Sequence, residues 1–271
     1  MQDPTLSLIL RSWSWEPLIL VGIGSVAAGY AYAFYYFWSH NWLERLVQRG
    51  LIRRSHPWYF GAGLVVLAIA LLSPLDTLAD MLFLMHMIQH ILIMMVVPPL
   101  VLLGLPTPLI RWLILETKLK GILAWLTYPL TAYALLSINF LAWHVPALYE
   151  AALRNQFIHD FEHALFFYTA LFYWWRIIDP TAGWFSMWPW PPAKWIYLLV
   201  AAPPSYMLGS ILWASSSVWY PFYNQAPRLW GLTVLWDQRY GGMLMWVQGW
   251  MFVMASMIVL FLWYDPEKEQ A

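Results

Sequence analysis

Long apolar stretches separated by short polar connections recur along the whole chain, and their length carries the first inference. A helix crosses the hydrocarbon core of a bilayer with about 20 predominantly apolar residues. Seven segments fall in that range, near residues 17–39, 57–73, 80–103, 121–143, 159–178, 193–213 and 240–264. Pro17 and Pro57 open the first two, as suits a residue tolerated in a first helical turn. The expected architecture is all-α: a polytopic membrane protein with seven transmembrane helices, forming one domain over residues 1–271 without a linker.

The polar positions between the segments orient this expectation. Arg45, Arg49, Arg53, Arg54, Arg111, Lys118, Lys120, Arg176, Lys194 and Lys268 fall on one set of connections, and Arg11, Arg154, Arg228 and Arg239 on the other. Cytoplasmic loops carry the excess of Lys and Arg. The first set is therefore expected inside, which puts the N-terminus outside and the C-terminus inside. Only an odd number of crossings keeps the two sets apart. Pro98-Pro99, Pro129 and Pro203-Pro204 fall within the third, fourth and sixth segments. Each removes an amide donor and frees a carbonyl, which predicts kinks whose carbonyls need partners in the protein or water.

Composition agrees with this reading. Hydrophobic residues make up 62% of the chain and charged residues 10%, against roughly 25% charged in a soluble domain. The 21 Trp and 16 Tyr suit aromatic belts at the two interfaces. A net charge of zero and the lack of a basic run give no footprint for nucleic acid. The chain has no cysteine, which excludes disulfides, thiolate metal sites and cysteine nucleophiles together. The opening MQDPTLSLILRSWSWEP has neither a basic start nor a small-residue cleavage site, and reads as mature sequence.

Candidate chemistry lies in the seven histidines. His86 and His90 stand in the outer half of the third segment, roughly 9 and 15 Å from its outer end at 1.5 Å per residue. His144 ends the fourth segment on the outer side, and His159 and His163 begin the fifth there. His86/His90 and His159/His163 have the spacing HxxxH, which puts both rings of a pair on one helix face. Two such imidazoles can bind one metal ion or face a pair on a neighbouring helix. Consecutive helices are usually neighbours, so His86, His90, His144 and His163 can converge without strain. In a soluble core such a histidine more often serves a freed carbonyl or a Tyr hydroxyl. Inside a bilayer, ionisable residues are costly and functional by default. His159, near the interface, reads either as an access ligand or as a wet helix start. His40 and His56, beside loop arginines, read as solvated.

Other polar and soft side chains surround these histidines. Met81, Met85, Met87, Met94 and Met95 flank the first pair, and Met243 and Met245 start the seventh segment on the same side. Thioether with imidazole suits Cu(I), whereas imidazole alone suits copper, zinc or iron. Methionine is also a common apolar filler. Gln89, Asn139 and Gln248 read as second partners of the histidines or as glue between helices. Among the outer carboxylates, Glu162 precedes His163 directly and is expected to diverge from it by about 100°. Asp76 and Asp80 read as ordinary helix-start residues favoured by the dipole.

The segments HMIQHILIMMVVPPLVLLG, WHVPALYEAAL and HDFEHALFFYTALFYWW resemble the CtaG family of cytochrome c oxidase assembly factors, first associated with caa-type oxidases. The likeness runs from the second helix to the seventh, and it rests on the combination of motifs. A separate one-helix copper chaperone shares the CtaG name but carries a cysteine motif, which this chain lacks. The resemblance implies a seven-helix protein of the bacterial inner (cytoplasmic) membrane, needed for an active haem–copper oxidase and not itself an enzyme. The implied step is delivery or insertion of copper, as Cu(I), and the family's histidines map to His86, His90, His144, His159 and His163. The implied partners are cytochrome c oxidase subunits, the lipid bilayer and a periplasmic or other extracytoplasmic copper donor. A homodimer is left open.

Two other classes compete with an assembly factor. One is a haem-binding membrane redox protein, with His90 and His163 as axial ligands on facing helices; a Soret band would identify it. The other is a metal-dependent membrane hydrolase or oxygenase, zinc or iron being the metal, with Glu162 or Asp160 as base. The di-iron membrane enzymes that share the HxxxH spacing use more than five histidines, which makes that reading the weakest.

Overall fold

Proline sets most of the helix boundaries. The computed structural model describes residue 7 and residues 11–182 and 193–263, and its regular elements are all helical. In chain order these are α1 (Pro17–Ser39), α2 (Leu43–Gln48), α3 (His56–Leu72), α4 (Pro74–Met81), α5 (Phe83–Ile91), a π-helical turn (Leu92–Val96) and α6 (Val97–Gly104). There follow α7 (Thr107–Glu116), α8 (Lys120–Leu126), α9 (Pro129–Trp143), α10 (Pro146–Arg154) and α11 (Gln156–Ile178). The chain closes with α12 (Ala193–Leu199), α13 (Ala202–Ala214), a 3-10 turn (Pro221–Asn224) and α14 (Val234–Trp263). A proline stands at the first or second position of α1, α3, α4, α6, α7, α9, α10 and α13. Except in α6, which continues from the π-turn, its missing amide proton costs no intrahelical bond there.

Among the described residues, four helical stretches are long and apolar enough to cross a membrane: Pro17–Ser39, Phe83–Gly104, Ala193–Ala214 and Val234–Ile258. The count rises to six if each of two bent pairs is one span, α3 with α4 at 45° and α8 with α9 at 64°. The remaining expected segment, the fifth, is α11. Its 23 residues reach roughly 35 Å, but Asp160, Glu162, Arg176 and two histidines keep it out of the apolar set.

Several expected boundaries shift for identifiable reasons. The third segment does not start at residue 80: Leu82 is extended (φ −136°, ψ 125°) and separates α4 from α5. The fourth is interrupted at Thr127-Tyr128, because Pro129 starts α9 and does not merely kink a continuous helix. The fifth begins three residues early, at Gln156, where the Asn155 side chain accepts the Ile158 amide. The seventh starts at Val234 and so takes Asp237 into its first turn. Residue 264, its expected last residue, and Lys268 lie outside the described residues. The connections between expected segments hold three further helices, α2, α7 and α10.

The third segment crosses its double proline through the π-turn. Pro98 has no amide to offer the Met94 carbonyl four residues earlier. The indole N–H of Trp174 on α11 donates to that carbonyl at 3.0 Å. Helices α13 and α14 approach closely because both lack side chains at their crossing. A Cβ on Gly209 would stand 2.5 Å from the Gly242 carbonyl oxygen, and one on Gly242 would stand 2.8 Å from that of Gly209. Helix α1 lies at the edge, held by a Tyr30–Phe60 stack at 3.9 Å and by the Tyr30 hydroxyl donating to Gly104 at 2.7 Å.

Contacts between distant loops define two ends. At one, Arg111 donates to the Thr181 carbonyl, Arg176 to that of Thr127 and Lys194 to that of Ile177. At the other, Tyr220 donates to His144, the Phe222 amide to Glu150, Arg228 to Met81 and Arg239 to Ser215. Five of the seven histidines, His86, His90, His144, His159 and His163, lie near this second end.

Candidate metal centre

The start of α5 is tied down from a distance of about 150 positions in sequence. Its first amides would be orphaned at a helix N-terminus. Those of Phe83 and Leu84 instead donate to the two oxygens of Asp237 at 3.0 Å each. Arg228 lies 3.6 Å from the same carboxylate and donates to the Met81 carbonyl at 2.5 Å. This clamp fixes the helix turn that carries His86. It also makes the histidines shallower than expected, about 5 and 10 Å from the start of α5 at 1.5 Å per residue. On α11, the cap at Asn155 puts His159, Glu162 and His163 on one stripe with spacing i, i+3, i+4. His144 closes α9, and its Nδ1 lies 2.7 Å from the Phe140 carbonyl.

These elements bring all five expected histidines together. Ring centroids are 4.3 Å apart for His86 and His90, 4.2 Å for His159 and His163, 5.3 Å for His86 and His159, and 5.4 Å for His90 and His163. His144 sits at the margin, 6.4 Å from His90. None is more than 6% exposed. His159 is therefore not a wet helix start: the earlier beginning of α11 carries it a full turn into the helix.

Glu162 corrects a second expectation. It does not turn away from the cluster but is fully buried, with Oε1 3.7 Å from His90 Nε2. The cleft between α5 and α11 is wide enough to take side chains 100° apart. The signal was present in sequence, since Glu162 stands three residues after His159 on the same face.

Donor atoms without partners define what the cluster can hold. Both ring nitrogens of His86 and of His90, Nε2 of His144, His159 and His163, and both oxygens of Glu162 are buried without a hydrogen bond. A buried polar atom left unsatisfied costs about 1–3 kcal/mol, so so many in one place point to a ligand for lone pairs. Because a carbonyl only accepts, His144 Nδ1 must donate to Phe140, and Nε2 of the neutral ring carries the free lone pair. His86, His159 and His163 present ligand atoms within 4.8 Å of one another, and so do His86, His90 and Glu162. An ion about 2.0–2.2 Å from each atom fits such triangles with small side-chain adjustments.

A layer of tyrosines covers the cluster at this end. Tyr149 on α10 lies 5.1 Å from His86 and shares a 2.9 Å hydroxyl–hydroxyl bond with Tyr223. Tyr223 donates to Ala79 at 3.2 Å, and Tyr220 donates to the His144 carbonyl at 3.0 Å. Burial pushes the hydroxyls of Tyr149 and Tyr223 well above the ordinary phenol range, so both keep their protons. Loop tyrosines carry no periodic signal, and the sequence offered no means of placing them here.

Other candidates take different places. His40 Nδ1 pairs with the Tyr36 carbonyl at 2.9 Å, and His56 Nδ1 accepts the Arg53 amide at 3.0 Å, both at the arginine-rich end. Asp76 accepts from Gln89 at 2.8 Å, and Gln89 also donates to Ala70, which fixes the residue beside His90. Asn139 accepts from the Trp143 indole at 3.1 Å. The Met94 sulfur accepts from Gln248 at 3.9 Å, whereas Met81 and Met85 pack around Leu82 and Leu229. Met87 and Met245 are buried and Met243 is exposed.

Comparison with known proteins places these residues in context. The chain is 25% identical over 268 residues to the uncharacterized proteins Mb0105 of Mycobacterium bovis and MT0111 of Mycobacterium tuberculosis, covering 90% of this chain. It spans 38% of the length of those relatives. No solved structure matches it. The family model for the cytochrome c oxidase caa3 assembly factor (Caa3_CtaG) matches residues 33–265, a stretch that includes every histidine of the cluster. On that match, the chain belongs to the CtaG family of caa3-type cytochrome c oxidase assembly factors.

Proposed function

We propose that this protein serves the assembly of a haem–copper oxidase by holding copper at the histidine cluster and passing it to an oxidase subunit. The observation that carries this reading is the set of buried, unpartnered donor atoms on His86, His90, His144, His159, His163 and Glu162. Neutral imidazoles suit copper, and the chain offers no thiolate to compete. Copper is the cargo here and the role is not enzymatic. Transfer proceeds by ligand exchange: an incoming donor takes one coordination position as one histidine lets go, with no change in copper's oxidation state. His144, at the margin and with only Nε2 free, is the ring best placed to let go first.

Seven crossings of a bacterial inner membrane, with the N-terminus outside, suit this role. The division of Lys and Arg between two ends supports that orientation. Copper then arrives at the tyrosine-covered end, from a donor outside the cytoplasm. A haem reading fits less well. His86 and Phe166 crowd the His90 ring, with centroids at 4.3 and 4.4 Å.

The double substitution His86→Ala/His90→Ala tests the reading. Copper retained by the purified protein and the activity of the oxidase in the same cells should both be lost, while the variant still inserts into the membrane. Unchanged copper content in that variant would overturn the assignment.

A further inference from the structure

Two triangles of candidate donor atoms stand side by side among the described residues. One is made by His86 with His159 and His163, the other by His86 with His90 and Glu162. Each joins α5 to α11, and they share only His86. Both nitrogens of that ring are buried without a partner, so as an imidazolate, its N–H proton released to solvent when the metals bind, it can offer one to each side. From this geometry we infer that the centre has two adjacent metal positions bridged or shared through His86, and that Glu162 is a ligand of the second.

The two positions differ in charge and softness. Two neutral imidazoles and the shared ring give the first an all-nitrogen set suited to a monovalent, softer ion such as Cu(I). The shared ring, a second imidazole and a carboxylate give the second a harder, anionic set suited to a divalent ion, Zn(II) or Cu(II). With Cu(I) in the first and a divalent ion in the second, the imidazolate and Glu162 leave the filled centre one net positive charge. The second position also explains Glu162. An ionised carboxylate with neither solvent nor a hydrogen-bond donor is strongly disfavoured in the interior, and a cation bound between its oxygens and His90 removes that penalty. His144 Nε2, 6.4 Å from His90 by ring centroid, stands on the side of the second position as a further donor.

This inference rests on metal binding at the cluster, and its test separates the two ideas. Full-length protein purified in detergent is loaded with Cu(I) under anaerobic conditions, with Zn(II), or with both, and its metal content is measured after removal of free ions. Wild type should retain one ion of each kind together. Glu162→Gln, and independently His90→Ala from the opposite helix, should weaken Zn(II) by at least about tenfold and Cu(I) by much less. His163→Ala should do the reverse. His86→Ala should weaken both. Zn(II) binding unaffected by Glu162→Gln and by His90→Ala would overturn the second position while leaving copper binding intact. Wild type that retains neither ion would overturn the proposed function and this inference together.

Discussion

Single side chains decide whether a histidine in this chain is chemistry or scenery. The HxxxH spacings and the absence of cysteine made the five clustered histidines legible in sequence, since spacing alone puts His86 with His90 and His159 with His163 on shared faces. Glu162 was misjudged because divergence from its neighbour His163 was weighed without its i+3 relation to His159. Asp237 was illegible as a clamp on α5, because nothing local marks a contact across about 150 positions. His40 and His56 are the natural controls. Their ring nitrogens pair with Tyr36 and Arg53 backbone atoms at the arginine-rich end, away from the cluster. Replacing either with Ala should leave copper content and oxidase activity at the wild-type level. A pronounced assembly defect in either variant, measured as oxidase activity in membranes, would contradict a site at the opposite end.

Helices carry the next level of the design, and here proline was read only halfway. Apolar length located every long helix, but Pro129 was taken for a kink within one and in fact opens a new one. The break at Leu82 had no proline or glycine to announce it and follows from the Asp237 clamp. The crossing of α13 and α14 is set by Gly209 and Gly242, in the manner of small residues that let membrane helices approach. Gly209→Val would drive its Cβ to 2.5 Å from the Gly242 carbonyl. Such overpacking costs about 1–3 kcal/mol, and a melt of the detergent-solubilised protein should shift down accordingly. Gly61→Ala on α3 meets open space and should be neutral or stabilising, by up to about 1 kcal/mol through helix propensity. Equal melting temperatures for the two variants would show that the α13–α14 contact does not set the packing.

For the protein as a whole, the segregation of charge and the segregation of histidine describe one polarity. Arginine and lysine gather at the end where Arg111, Arg176 and Lys194 meet carbonyls, and the histidines gather at the other under the tyrosines. The all-helical membrane architecture was legible from apolar length. The mixed character of α11 comes from Asp160, Glu162, Arg176 and its two histidines, which lower its hydropathy. A helix that is too polar to pass as a span on composition and that carries His159, Glu162 and His163 is what a metal centre inside a membrane protein requires. The decisive observation is the copper K-edge X-ray absorption spectrum of the purified, copper-loaded protein. A copper shell of nitrogen and oxygen with imidazole scattering beyond it is the expected result. A sulfur shell from the neighbouring methionines, or no bound copper at all, would contradict a histidine centre for copper.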